Sequence, residues 1–587
     1  MIPQHLQTER KTSRSYSFSF SSFFRSCYGL VGFVLIVFLF ILPIIRLVWL
    51  SISSEDGLSL AMYEEVLSNP ITWKTVQSTV IITVISTLIA LVVGVLLAWI
   101  MAYVNIRGKK WIQLLIFLPF IIPSYITTLA WVQFLGKNGP IQAIFELLSI
   151  EAPNLNLYSM EGIIFMLGIT HFPLVYLFSV AIFRKIPREL QDAAKVGGAS
   201  NGTIFRKIVL PMALPGIAGG GLLAFLSSLD NFGIPAFLGI PANIRVLSTY
   251  IYEQVIGYGP SAFARASVLS VLLGVIAIIG TIVQWVIVRK SKVNETTKME
   301  MEPRYFLSNR KRLTVECCLW GFILLTSFIP FLTMGATSFI KAYGLPLKWE
   351  NLSLKNYRFI LFEDQKVMNA VGNSLLLASV TLLCCLIIGT AIAYIRFKKP
   401  SFLIKVTEVL VTIPYALPGT VFALSIILMW LQPIPGWQPG IYGTIWILLI
   451  AYVTRFTILQ VRGSAAAFSQ LDPSMEEAAR VSGARVWVKW QKILMPLLLP
   501  GVMGGALLVF LTALTELTVS SLLWSSGSET IGVVIFSYEQ GGFSTHSTAF
   551  SSIIVLAILL AGILYIIVNK MWEKRVIKTD DTTSRNQ

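Results

Sequence analysis

The chain has 587 residues, 55% of them hydrophobic and only 13% charged, with a mean hydropathy of +0.74. A water-soluble protein cannot hide that much apolar surface, whereas a bilayer supplies apolar solvent for it. The 46 Lys and Arg against 29 Asp and Glu leave a net charge of +17. They fall mainly in short gaps between apolar runs, the pattern of cytoplasmic loops and not of a nucleic-acid surface.

Residues 1–28 are polar, Ser-rich and basic, with Arg10, Lys11, Arg14 and Arg25. They read as a cytoplasmic tail before an uncleaved first helix, because the apolar run that follows is long enough to span and lacks a small-residue cleavage site. Apolar runs fall near 29–51, 76–104, 111–136, 161–184, 207–229 and 266–289, and again near 315–340, 370–395, 402–431, 441–462, 492–515 and 549–569. The expected fold is therefore an all-α polytopic membrane protein with about 12 transmembrane helices in two groups of six. Basic residues concentrate in alternate gaps, for example Arg107, Lys109 and Lys110, or Arg184, Lys185, Arg188, Lys195, Arg206 and Lys207. That bias places both termini on the cytoplasmic side, with 341–369 a partial exception on the outer face. The five cysteines (Cys27, Cys317, Cys318, Cys384, Cys385) have no metal-like spacing.

The chain repeats itself. Residues 189–225 laid on 474–510 without a gap give 16 identities in 37 positions, and Gly94/Gly389, Pro119/Pro414 and Pro123/Pro418 match at an offset of 295. Two six-span halves of the same orientation make a parallel repeat. The expected layout is a cytoplasmic tail at 1–28, a first transmembrane domain at 29–290, a basic linker at 291–313, a second transmembrane domain at 314–570 and a tail at 571–587. The Pro pairs are expected to bend the third span of each half.

The best-matched stretch is a charged, Gly-broken interruption. In the first copy Asp192, Ala193 and Ala194 precede Gly198; in the second Glu477, Ala478 and Ala479 precede Gly483. Acidic residues suit the start of a short helix, the paired alanines give it a small-residue face, and the glycine turns the chain. Such a helix is a docking element. Beyond it, Gly216/Gly220 and Gly501/Gly505 have the G-x-x-x-G spacing that lets helices cross closely in lipid.

Glu-Ala-Ala, three residues, Gly, nine residues and Ile-x-Leu-Pro is the signature of permease subunits of binding-protein-dependent ABC importers, which this chain resembles twice. The second half keeps Glu477-Ala478-Ala479, Gly483, Ile493 and Pro496 with Met495 for Leu, and the first keeps Ala193-Ala194, Gly198, Ile208, Leu210 and Pro211 with Asp192 for Glu. The resemblance implies that each segment is a coupling helix seated in a groove of a cytoplasmic ATPase. It implies two ATP-binding cassette subunits carrying ATP and Mg, an extracytoplasmic solute-binding protein and a bacterial inner-membrane location. No G-x-x-x-x-G-K-[ST] loop occurs in this sequence, so no cofactor is expected on this chain.

Ionisable residues within apolar runs are pathway candidates. Arg455 lies in the second half's fourth run, where it either snorkels to the headgroups or pairs with a carboxylate, and His171 lies in the aligned region of the first half. Asp230, Asn231 and Glu516 follow the fifth runs, near the expected outer face. Tyr125, Tyr176, Tyr415 and Tyr452 are hard-oxygen candidates, or interfacial anchors. Three histidines without metal-pair spacing and no nucleophile elbow argue against an enzyme. The segments from His171 and from Ala451 look most like ferric-iron importers; thiamine and 2-aminoethylphosphonate importers share the fused layout. A secondary transporter and a membrane scaffold remain the readings from other classes.

Overall fold

A computed structural model describes residues 31–54, 57–137, 139–149, 151, 156–257, 259, 261–289, 300–398, 400–431, 439–483 and 485–584. The 1–28 tail and residues 291–299 of the expected linker lie outside the described residues. In chain order the principal helices are α1 (Val31–Ser51), α2 (Pro70–Tyr103), α3 (Lys109–Ile121), α4 (Ser124–Leu135), α5 (Met160–Lys185), α6 (Arg188–Val196) and α7 (Asn201–Asp230). There follow α8 (Leu247–Ile256), α9 (Ala262–Arg289), α10 (Asn309–Thr337), α11 (Gln365–Lys398), α12 (Phe402–Ala416), α13 (Gly419–Leu431), α14 (Ile445–Ser469), α15 (Pro473–Val481), α16 (Met495–Leu514), α17 (Ile531–Gln540) and α18 (Ser544–Ser584). Among the described residues ten helices are long and apolar enough to cross a membrane, or twelve if α3–α4 and α12–α13 each count as one span. The protein is an all-α polytopic membrane protein built as two repeats.

Proline decides where these helices deviate. A proline has no N–H, and its ring clashes with the carbonyl four residues earlier. Four wide π-turns, Val37–Ile41, Phe205–Val209, Leu324–Phe328 and Trp490–Leu494, each contain that carbonyl for Pro43, Pro211, Pro330 and Pro496. Wide turns re-register the backbone bonds without ending the helix. The third span of each half goes further. With Pro119 and Pro123 in one copy and Pro414 and Pro418 in the other, the chain breaks and bends by 103° and 108°. These are sharply bent pairs, not single rods.

Helix crossings repeat between the halves, at an offset of 295 residues for α2/α11 and 285 for α5/α14 and α7/α16. A Cβ on Gly94 would lie 2.7 Å from Val175 Cβ, and one on Gly389 would lie 2.8 Å from Gln460 Cβ, its counterpart. Gly216 meets Ile182 where Gly501 meets Ala467, and Gly220 meets Val175 and Phe178 where Gly505 meets Gln460 and Gly463. The four G-x-x-x-G glycines thus sit where α7 crosses α5 and where α16 crosses α14. In lipid, where no hydrophobic force pulls helices together, such close approach supplies the dispersion contact that holds them.

The halves interlock. α10, the first span of the second half, packs Phe331 and Met334 into one cluster with Tyr125, Ile126, Leu129 and Ala130 of α4. Reciprocally, α1 packs onto the second half: Phe38 meets Trp430 edge-on at 6.0 Å, Phe40 joins Ile458 and Val461, and Arg46 Nη1 donates to Met429 O at 3.3 Å.

These crossings set a stability prediction. Gly220→Ala and Gly463→Ala place a methyl 2.9 Å from Val175 Cα and 2.7 Å from Gly505 Cα, and should each destabilise the protein by about 1–3 kcal/mol. Gly504→Ala, with nothing within 4 Å, should be neutral or stabilise by up to about 1 kcal/mol through helix propensity. Thermal melting in one detergent checks the contrast.

Candidate functional site

The two repeated segments fold alike. α6 ends at Gly197, Gly198 turns with φ +80°, Ser200 Oγ caps the short helix Asn201–Ile204, and the π-turn leads into the next span. α15 ends at Val481, Gly483 turns with φ +71°, and a second short helix and π-turn lead into α16. Positive φ is open to glycine at little cost. The paired alanines split their roles: Ala193 and Ala478 are exposed, Ala479 is buried, and Ala194 is half-buried against the first half's core. Asp192 and Glu477 are exposed, and Asp192 is bracketed by Arg188 at 3.4 Å and Lys195 at 3.5 Å.

Sequence reading missed two residue pairs on these helices. Leu190 and Met475 are 44% and 46% exposed, and Val196 and Val481 are 91% and 88% exposed. Both pairs match at the 285 offset, and Val196/Val481 is an identity in the repeat alignment. Large apolar side chains held outward at matched places in two copies form a contact surface on each helix.

The helix starts differ in how they are capped. Asp472 Oδ1 accepts from Ser474 N at 2.9 Å at the start of α15, and these Ser474 bonds hold its carboxyl below the usual range. The matching position in the first copy is Pro187, which cannot cap. There the chain joining the halves substitutes: Glu300 Oε1 accepts from Arg188 N at 3.3 Å. The strap is fixed by Arg304, whose backbone N donates to Tyr103 O at 2.7 Å. Its buried guanidinium covers the Tyr103 ring at 4.5 Å and bonds Ile186 O and Glu300.

The interior candidates come together in part. Arg455 Nη2 lies 2.9 Å from Asp230 Oδ2, joining the fourth span of the second half to the fifth span of the first. Arg455 also donates to Leu417 O at 3.2 Å, and Asp230 Oδ1 accepts from Gly419 N. These are backbone groups freed where α12 breaks into α13. Arg455 is residue 11 of the 25 in α14, about 15 Å along it, so the pair sits near the middle of that helix. Asn231 and Glu516 are equivalent caps. Asn231 Oδ1 accepts from Ile234 N at 2.9 Å, and Glu516 accepts from Val519 N at 2.7 Å and Ser520 N at 2.9 Å. Glu516 lies near Arg455. Tyr415 is 43% exposed, and the Arg455 guanidinium lies over its ring, 5.9 Å from the centroid. His171 is apart from this cluster: it is buried, with Nδ1 2.9 Å from Ser228 Oγ, and joins α5 to α7 within the first half.

Two outcomes follow. Arg455→Leu and Asp230→Asn should each cost about 3 kcal/mol by stranding a charge, with the double variant at least ~1 kcal/mol better than the sum; a thermal double-variant cycle measures it. Arg304→Ala should raise amide hydrogen exchange of 188–196 about tenfold and leave 473–481, capped by Asp472, unchanged. Equal change in both segments would refute the strap's role.

Comparison with known proteins fits this geometry. The sequence profile of the binding-protein-dependent transport system inner membrane component matches residues 90–293 and 385–578, one match in each half. The chain is 25% identical over 452 residues to the ferric transport system permease protein FbpB of Actinobacillus pleuropneumoniae, covering 76% of this chain and 64% of that protein. It is 22% identical to the Fe(3+)-transport system permease protein FbpB 2 of Haemophilus influenzae, covering 86% and 91%. The putrescine transport system permease protein PotI of Escherichia coli K12 is 28% identical over 42% of this chain and 86% of its own. With one profile match in each half, this chain belongs to the family of binding-protein-dependent transport system inner membrane components, in a fused form that carries both permease units.

Proposed function

We propose that the chain is a permease subunit that forms the translocation pathway of an ATP-driven importer, that its solute is ferric iron, and that ATP is hydrolysed on two separate subunits. The observation that carries this reading is the pair of matched helices, α6 and α15, one in each half. Each presents an exposed apolar pair, an exposed alanine and an acidic residue before a glycine turn. A helix that only lay on headgroups would need neither the glycine turn nor the duplicate. Rigid attachment through the turn and π-turn to a spanning helix lets a push on α6 or α15 tilt α7 or α16. The Arg455–Asp230 pair links that motion to the broken helix of the second half.

In this reading the motif face is cytoplasmic, as its Lys and Arg content requires, and the membrane is the bacterial inner membrane. The solute arrives from a binding protein on the opposite face. Ferric iron is favoured because relatives covering 76% and 86% of the chain are named for it, whereas the putrescine relative covers 42%. ATP and Mg belong to the partners.

The test is reconstitution of the chain in liposomes with its ATPase and binding protein. Ferric-loaded binding protein should stimulate ATP hydrolysis several-fold over the empty form, while putrescine, molybdate, thiamine and 2-aminoethylphosphonate should not. Stimulation by one of those solutes alone would replace ferric iron, and stimulation by none would remove the importer reading. Gly198→Val with Gly483→Val, which strains both turns, should abolish stimulation while leaving the membrane helices folded.

A further inference from the structure

The interior holds a set of oxygen donors that the ion pair does not use. Tyr125 begins α4 of the first half; Tyr452 lies on α14 of the second, one turn before Arg455; Glu516 follows α16. Tyr125 is 2% and Tyr452 1% exposed, and no hydrogen-bond partner meets either hydroxyl. The three residues are electrostatic neighbours: Glu516 acts on both tyrosines, and Tyr125 acts on Tyr452. Tyr452 lies beside Glu516 and Ser520 without hydrogen-bonding geometry to either. Glu516 spends one lone pair of each oxygen on Val519 N and Ser520 N, and keeps the others.

Buried hydroxyls are nearly always satisfied, because an unmade bond there is costly. Two unsatisfied buried phenols from opposite halves, both within electrostatic reach of one carboxylate, therefore call for an occupant. Phenolate and carboxylate oxygens are hard anionic donors, suited to a small, highly charged cation and not to a soft one. Charge points the same way. Arg455 and Asp230 cancel each other, so Tyr125 and Tyr452 as phenolates with Glu516 supply three negative charges. A trivalent cation there makes a neutral assembly, which lowers the cost of placing charge inside a bilayer.

We propose that Tyr125, Tyr452 and Glu516 form a transient binding site for a trivalent hard cation between the two halves; the identification of that cation as ferric iron rests on the function proposed above. On binding, each phenol O–H bond breaks, the oxygen lone pair forms a bond to the metal in place of one of the ion's own water or hydroxide ligands, and the proton leaves on that displaced ligand. Iron stays ferric, and no electron is transferred. Because Tyr125 belongs to one half and the other two to the second, movement of the halves takes the site apart and releases the ion. Arg455, close to Glu516, keeps the site from binding too tightly to release.

The test uses the full-length chain in lipid nanodiscs titrated with ferric citrate. The expected result is a visible phenolate-to-iron charge-transfer band saturating at one ion per chain, with two protons released per ion. Tyr125→Phe and Tyr452→Phe, which keep ring shape, should each weaken the band, and together should remove it with thermal stability preserved. Glu516→Gln should weaken binding at least tenfold, and Tyr176→Phe, a buried tyrosine bonded to Gln113, should change nothing. A wild-type protein without the band, or a band that survives the double Phe variant, overturns the site. If the double variant does not fold, either single variant with an undiminished band does the same. The two proposals separate cleanly: a band without ferric-stimulated ATP hydrolysis refutes the importer's ferric role and keeps the site. Ferric stimulation without a band does the reverse.

Discussion

A guanidinium cannot be left unpaired midway through a bilayer, and much of the architecture answers to that constraint. Arg455 finds its carboxylate in Asp230, which is supplied by the other half of the chain. Its remaining donors go to Leu417 O, a carbonyl released where α12 breaks. Without the proline break those carbonyls would be spent within a helix, and without Asp230 the arginine would be stranded. Removing one partner of such a pair costs more than the pair contributes, which makes the cluster a device for holding one arrangement of the halves. Arrangements held by a single strong contact are also those that can switch, since a small relative movement breaks it completely.

The same logic explains why the two halves are alike in scaffold and unlike in detail. Glycine-mediated crossings recur in both halves, and each half has the same succession of short helix, turn, π-turn and spanning helix. The interior does not repeat. Thr170 stands in the first half where the second half has Arg455, His171 stands where the second has Phe456, and Val175 stands where the second has Gln460, bonded to Thr390, Ser464 and Val502 O. On the motif face the asymmetry is in capping, one helix using its own Asp472 and the other Glu300 from the chain that joins the halves. That strap is present once per fused chain, so the two docking helices have unequal support. Force applied equally to both is therefore resisted unequally.

Much of this was legible in the sequence for a physical reason. Span length, basic loops and the repeat are one-dimensional signals, and so were the docking motif, with Asp192 through Gly198 and Glu477 through Gly483, and the close-packing glycines. The proline pairs announced a bend, but its size, beyond 100°, depends on what receives the freed backbone groups, and that is tertiary information. Arg455 left two readings open at the sequence level because its partner is 225 positions away and in the other repeat. The exposed Val196 and Val481 were missed although the repeat alignment contains them, because a valine next to a glycine turn gives no hint of its direction.

The central claim is that α6 and α15 are two equivalent seats for two ATPase subunits. The most direct measurement is site-directed cross-linking from Val196→Cys and Val481→Cys, the most exposed apolar positions of each helix, in the assembled complex. Each single variant should trap one ATPase subunit per chain, and the double variant two. A complex that hydrolyses ATP yet gives no adduct from either position, or from only one, would contradict the account.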